Sequence, residues 1–225
     1  MIKQNRIRNW RNNGFLKSGI LLLFLLGLYS LASCKQVVEV SSDVAKQEEV
    51  SGSEKKVLFI IAPFNFRDEE YLYPREILEQ EGIKVSVASK SLNEARGMLG
   101  ARVKPDLLLS EVKVEEYDAI VFVGGIGAKV YWNDEQALRI CQEAVSEGKI
   151  LAAICIAPVT LAHAEVLEGV KATVWPSEKD QLVEKGALYT GRKVEVDGKV
   201  ITGNGPDAAR GFGNKILEAL KEDLE

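Results

Sequence analysis

The stretch Ile150-Leu151-Ala152-Ala153-Ile154-Cys155-Ile156-Ala157-Pro158 runs an apolar segment into a cysteine and then into a helix-like sequence. A buried strand that ends in a nucleophilic residue and turns at once into a helix is a nucleophile elbow, the logic of the G-x-S-x-G turn. The reversal is so sharp that the residues two before and two after the nucleophile must be small, and here they are Ala153 and Ala157. Such a turn lifts the Cys155 side chain over the sheet edge. The helix behind it offers free N–H groups and partial positive charge, which lower a thiol pKa. Pro158 fits the first helical turn, where its missing N–H costs nothing. Taken locally, the same pattern also suits a buried cysteine that acts as a small hydrophobe.

Outward from this segment the chain alternates strands and helices. Val57–Ala62 is a continuous apolar run, as in a strand buried on both faces. Asp68–Gln80 reads as a helix stopped by Gly82, and Ile83–Ala88 and Ala119–Val123 as further strands, the last ending in Gly124-Gly125. A helix from about Asp134 places Leu138, Cys141 and Val145 on one face. Ala172–Trp175 reads as a strand, Lys193–Thr202 as a hairpin turning at Asp197-Gly198, and Asp207–Leu224 as a final helix. The alternation predicts a mostly parallel sheet covered on both sides, with its active edge at the carboxyl ends of the strands.

Composition removes several classes of function. The net charge is -4, which gives no basic footprint for nucleic acid. The sole histidine is His163 and there is no Cys-x-x-Cys, so zinc-ribbon, thioredoxin and His-rich metal sites are excluded, and no metal or organic cofactor is expected. Cys141 reads as core; a disulfide from it to Cys155 would silence the thiol.

The first 54 residues stand apart from the fold. Lys3, Arg6, Arg8, Arg11 and Lys17 form a basic region before the apolar run Gly19–Tyr29, which is shorter than the ~20 residues a spanning helix needs. Leu31-Ala32-Ser33-Cys34 follows and resembles the bacterial lipobox, in which the cysteine is lipidated. That resemblance implies a lipoprotein signal peptide over 1–34, a lipid anchor on Cys34, and an extracytoplasmic, membrane-anchored location. An ordinary cleaved signal peptide or a marginal transmembrane anchor is the alternative. Residues 35–54 are polar and read as a flexible tether, leaving 55–225 as the folded domain.

Within 55–225, four separated motifs occur in order: Asp68-Glu69-Glu70-Tyr71-Leu72-Tyr73-Pro74, Val123-Gly124-Gly125, Ala153-Ile154-Cys155 with Pro158, and Gly203-Asn204-Gly205-Pro206. Together they resemble the DJ-1/PfpI family. The resemblance implies a flavodoxin-like α/β three-layer sandwich with a nucleophile elbow and a homo-oligomer, usually a homodimer. It places the acidic partner of Cys155 at Glu70, with Asp68 and Glu69 facing solvent. It also assigns an oxyanion site to the Gly124-Gly125 turn and the N–H of Ile156. By itself, Glu70 reads equally as a helix-start carboxylate and the two glycines as a tight turn.

The chain departs from the family at two positions. Many peptidase-like members carry a histidine immediately after the cysteine, where this chain has Ile156. Others place one before a proline in the strand after the elbow helix, where this chain has Trp175-Pro176. His163 lies eight residues past Cys155, about 12 Å along a helix at 1.5 Å per residue, whereas proton transfer needs about 3 Å. Without a Cys–His dyad, peptide hydrolysis recedes. Three functions stay open: chemistry on small carbonyl electrophiles such as α-oxoaldehydes, of glyoxalase or deglycase type; a non-enzymatic thiol that meets oxidants; and, more remotely, a cysteine peptidase or amidase. Trp175 either packs against substrate or belongs to the core.

Overall fold

The computed structural model describes residues 54–222; the expected signal peptide, the expected lipidation site Cys34 and the expected tether up to residue 53 lie outside them. A seven-stranded sheet forms the centre. Its strands are β1 (Lys56–Ile60), β2 (Lys84–Ser89), β3 (Leu107–Leu108), β4 (Ala119–Phe122), β5 (Ile150–Ile154), β6 (Val194–Asp197) and β7 (Val200–Gly203). They lie in the order β6-β7-β5-β4-β1-β2-β3. Every neighbouring pair is parallel except β6–β7. This is the mostly parallel sheet that the alternation predicts, in the flavodoxin-like α/β sandwich that the family resemblance implies.

The three strands in the middle show why they are central. β4 and β5 are buried at every residue and β1 at all but its first. A strand with helices on both faces has no solvated side, so its sequence runs apolar instead of alternating. The antiparallel exception at the edge follows from turn chemistry. Asp197 pairs with Val200, and Gly198 opens the loop between them at φ +55°, a conformation glycine adopts without strain.

Two groups of helices flank the sheet. α1 (Asp68–Gln80) packs on α5 (Ala209–Glu222), so closely that a Cβ on Gly213 would come within 2.8 Å of Pro74 Cα. α2 (Glu135–Ser146) packs on α3 (Pro158–His163), and α3 on α4 (Lys179–Glu184). The Asp134 carboxylate caps α2, accepting from the N–H groups of Gln136 and Ala137 at 3.1 and 3.0 Å. The buried face of α2 is Ala137, Ile140, Cys141 and Ala144. Val145, expected on that face, is exposed: it lies one position past the stripe that meets the sheet.

The Ala172–Trp175 expectation also needs correcting. Only Lys171–Ala172 is a strand, and it pairs with Leu188–Tyr189 in a separate two-stranded sheet. The next residue is claimed by a side chain: Thr173 N–H donates to Thr202 Oγ1 at 2.9 Å. Another small sheet, of Phe64–Phe66, Ala95–Gly97 and Arg102–Val103, stands beside the carboxyl end of β1. Among the described residues no helix is long and apolar enough to cross a membrane.

Candidate functional site

The carboxyl ends of β1, β4, β5 and β7 all open toward one edge of the sheet, because these strands are mutually parallel. Cys155 follows β5 directly and has φ +64°. That left-handed conformation costs a non-glycine residue roughly 1–2 kcal/mol, and it persists because its neighbours impose it. Cys155 N–H donates to Gly203 O at 2.9 Å, and Cys155 O accepts from Trp175 N–H at 2.8 Å. The turn is thus pinned on one side to β7 and on the other to the Trp175 segment.

Glu70 approaches from α1. Its helix starts at Asp68, and Arg67 N–H donates to Gly124 O at 3.0 Å, tying the start of α1 to the end of β4. Glu70 is completely buried and Cys155 almost so. Gly124 lies between them. A Cβ there would sit 2.4 Å from Cys155 Cβ, 2.5 Å from a Glu70 carboxyl oxygen and 2.6 Å from Ile154 O. Gly125, at φ +88°, would bring a Cβ to 2.4 Å from Arg67 N. Both glycines are therefore required by the approach of other backbone and side-chain atoms, beyond the needs of a turn.

The electrostatics of the pair follow from burial. Desolvation raises Glu70 from its ordinary 4.5 to about 8, against the opposing pull of the Cys155 thiol, Arg67 and the Gly124 N–H. Neither carboxyl oxygen has an aligned hydrogen-bond donor, so little compensates an ionised Glu70. Burial, and then the negative charge of an ionised Glu70, push the thiol up to about 12. This runs against the lowered thiol pKa expected from a helix N-terminus. The N–H groups of Gly125 and Ile156 do pull the thiol down, but they are outweighed. The two groups titrate as one unit: the pair loses its first proton near the carboxyl value, and the remaining proton sits on sulfur or oxygen. When it sits on oxygen, the repulsion that raises the thiol is gone and the carboxyl donates to a thiolate.

Glu70 thereby couples stability to pH. The folded protein holds this proton up to about pH 8, while the unfolded chain releases it near 4.5. Unfolding between those values releases a proton, so stability falls as pH rises through the window, by up to about 1.4 kcal/mol per pH unit. Glu70→Gln removes the ionisation. Urea denaturation should show the variant more stable than the native chain at pH 9, with the difference shrinking as pH falls toward 4.5. A difference independent of pH would mean that Glu70 ionises normally in the folded state.

Over the pair lies a cavity of about 280 Å³ whose lining includes Glu70 and Cys155 below, and Met98, Ile126, Trp175 and Pro206 around them. Gly125 and Ile156 also line it, and so does Arg67. Arg67 is already engaged: its Nη2 donates to Glu69 at 3.0 Å and its Nε lies 2.9 Å from the other oxygen. Gly124 is packed between Glu70 and Cys155 and does not line the cavity.

The structure corrects the solvent-facing expectation for Asp68. It is buried, not solvent-facing; its carboxylate accepts from Leu99 N–H at 2.8 Å and Ala101 N–H at 2.7 Å. These bonds hold the loop that presents Met98, whose own N–H donates to Phe66 O. Arg67, Met98, Ile126 and Pro206 are the cavity residues that were not anticipated. Arg67 and Pro206 adjoin or belong to quoted motifs, whereas Met98 carries no local signal. His163 is structural: its Nδ1 lies 2.9 Å from Trp132 O and 2.9 Å from Asn133 Oδ1, and it does not line the cavity. Cys141 and Cys155 are both free thiols, with no disulfide between them. Among the described residues there is no cluster of His, Cys, Asp and Glu fit to hold a metal ion.

A flavodoxin-like sandwich with a cysteine on a strained strand-to-helix turn against a buried carboxyl defines a narrow structural class. The model of the DJ-1/PfpI family matches residues 55–219, and the chain belongs to that family. Its relatives include Deglycase PfpI of Pyrococcus furiosus, 34% identical over 74% of this chain and 99% of that protein. Another is the glutathione-independent glyoxalase DJR-1.2 of Caenorhabditis elegans, 31% identical over 75% of this chain and 90% of that one. Among solved structures, a ThiJ/PfpI domain protein from Brachyspira murdochii superposes with a TM-score of 0.74 at 33% identity, covering 75% of this chain and 98% of that chain.

Proposed function

We propose that this protein is a cysteine-dependent enzyme acting on small carbonyl electrophiles, of glyoxalase or deglycase type. The observation that carries the reading is the buried Cys155–Glu70 pair, both packed against Gly124, under a cavity that Gly125 and Ile156 also line. The printed activities of the relatives agree with it. An α-oxoaldehyde asks for what this site has. The Cys155 thiolate bonds to the aldehyde carbon, and the carbonyl π pair moves to oxygen, where the two N–H groups steady it and Glu70 protonates it. The Glu70 carboxylate then takes the hydrogen of that carbon as a proton and returns it to the neighbouring carbonyl carbon, while the hydroxyl proton of the adduct passes to that carbonyl's oxygen. The product is a thioester of a 2-hydroxy acid, which water cleaves to regenerate the thiol. The oxidation of one carbon balances the reduction of the other, so no outside redox partner enters.

Peptide hydrolysis fits less well, because among the described residues no histidine lines the cavity to take the thiol proton and pass it to the leaving amine. A second reading, a redox-responsive thiol, is favoured by one observation: a carboxyl held protonated to about pH 8 can donate to a sulfenate or sulfinate oxygen. The reading extends to location and assembly. A lipid on Cys34 tethers the domain to a membrane outside the cytoplasm, and the domain works as a homo-oligomer. The lipobox-like Leu31–Cys34 and the tether composition support the first, and family membership the second.

The test is product formation. Full-length protein is incubated with methylglyoxal and phenylglyoxal, and 2-hydroxy acid is followed by NMR. Accumulation of the acid is expected. Absence of turnover, together with reversible oxidation of Cys155 by peroxide, would favour the redox reading instead.

A further inference from the structure

The walls of the cavity say more about the substrate than its floor does. Three large apolar side chains at its mouth are well exposed: Ile126 at 54%, Met98 at 43% and Trp175 at 43%. Among the described residues the one cation lining the cavity is Arg67, and it is committed to Glu69. A carboxylate or phosphate on the substrate would therefore find no free counter-charge, and an ionised Glu70 would repel it. A hydroxyl-rich sugar adduct would set its hydroxyls against apolar walls that cannot pair them.

The walls are also fixed in place. The Trp175 backbone N–H donates to Cys155 O, so the segment that carries the indole is pinned to the reactive turn. The indole lies against Gly205, where a Cβ would sit 2.8 Å from ring atoms Cε3 and Cζ3. Across the mouth, the loop carrying Met98 is held by Asp68 through two N–H groups and by Phe66 O. An aromatic plane and a flexible thioether, both anchored and both wet, suit a flat or aliphatic group.

We propose that this site selects carbonyl electrophiles bearing a neutral apolar substituent, an aryl or medium alkyl group, and that Trp175 is the residue that selects them. The carbonyl half of this statement rests on the function proposed above; the apolar half rests on the cavity alone. The two are separable by experiment.

The probes are iodoacetamide, its N-phenyl and N-hexyl derivatives, and iodoacetate, applied to full-length protein. Modification at Cys155 is read by peptide mass spectrometry and each rate is normalised to that with glutathione. The apolar derivatives should outpace iodoacetamide about tenfold, the scale of added hydrophobic contact in a pocket, with iodoacetate slowest. In Trp175→Ala the advantage should fall to within about twofold, and in Trp175→Phe most of it should return. Ile126→Ser, at an exposed position, supplies a second variant that should reduce the advantage. The same preference should appear in turnover of phenylglyoxal over methylglyoxal. Equal normalised rates, or a preference untouched in Trp175→Ala, would overturn the assignment even if α-oxoaldehydes are turned over. A preference that holds while no α-oxoaldehyde is consumed would sink the enzymatic reading and leave this one standing. A Cys155 inert to every probe would overturn both.

Discussion

Cys155→Ala is expected to lower α-oxoaldehyde turnover by about a thousandfold or more, the usual scale for loss of a covalent nucleophile. No second thiol can replace it within the described fold, since Cys141 is fully buried on the sheet side of α2. The same position yields a second, independent result. Cys155 holds φ +64°, where any Cβ is strained. Cys155→Gly should therefore be more stable than Cys155→Ala by roughly 0.5–1 kcal/mol, the left-handed penalty offset in part by the entropy of glycine. That reverses the order found at ordinary positions. Both variants should be equally dead. An Ala variant more stable than the Gly variant would mean that the turn relaxes when the thiol is removed, and the elbow would not be the imposed strain described above.

Gly124→Ala is expected to disable the site almost as completely while leaving both reactive groups in the sequence. Its Cβ would need space now held by Cys155 Cβ, a Glu70 oxygen and Ile154 O, all at 2.4–2.6 Å. Ile154 O is backbone in a central strand and cannot give way cheaply. The Glu70 and Cys155 side chains must part instead. Overpacking of this kind costs about 1–3 kcal/mol of stability, and misplacing reacting groups by about 1 Å costs on the order of a hundredfold in rate. Urea denaturation and turnover on the same sample separate the two effects. Normal turnover in a folded Gly124→Ala protein would show that the carboxyl and thiol need not be held in contact.

Much of this site was legible along the chain, and the reasons are local. α1 spans the residues the sequence assigns to it, because an acidic first turn and a glycine stop bracket the pattern. Cys155 was legible from Ala153 and Ala157, whose small size the turn demands. Glu70 was not legible from its own surroundings: only the family resemblance separated it from Asp68 and Glu69. Three acids at a helix start look alike in sequence. What distinguishes Asp68 is a pair of N–H groups 31 and 33 residues away, and what distinguishes Glu70 is Gly124 on another strand. Met98 and Ile126 reach the cavity through loops whose path depends on such distant bonds. Ala172–Trp175 reads as a strand in sequence, but beyond Ala172 its N–H groups donate to Thr202 Oγ1 and Cys155 O in place of a ladder.

In the function proposed above, Cys155 and Glu70 share a proton, and this sharing makes the thiol reactive. The pH dependence of Cys155 alkylation, resolved at that residue by mass spectrometry in the native chain and in Glu70→Gln, tests it most directly. In the native chain reactivity should rise with loss of the first proton of the pair, near pH 8. In Glu70→Gln the thiol keeps its burial but loses the carboxylate that can take its proton, so the inflection should move up by about a unit or more. Coincident profiles, with a single inflection at the ordinary thiol value of 9 in both proteins, would mean that the carboxyl and the thiol ionise independently and would contradict the account.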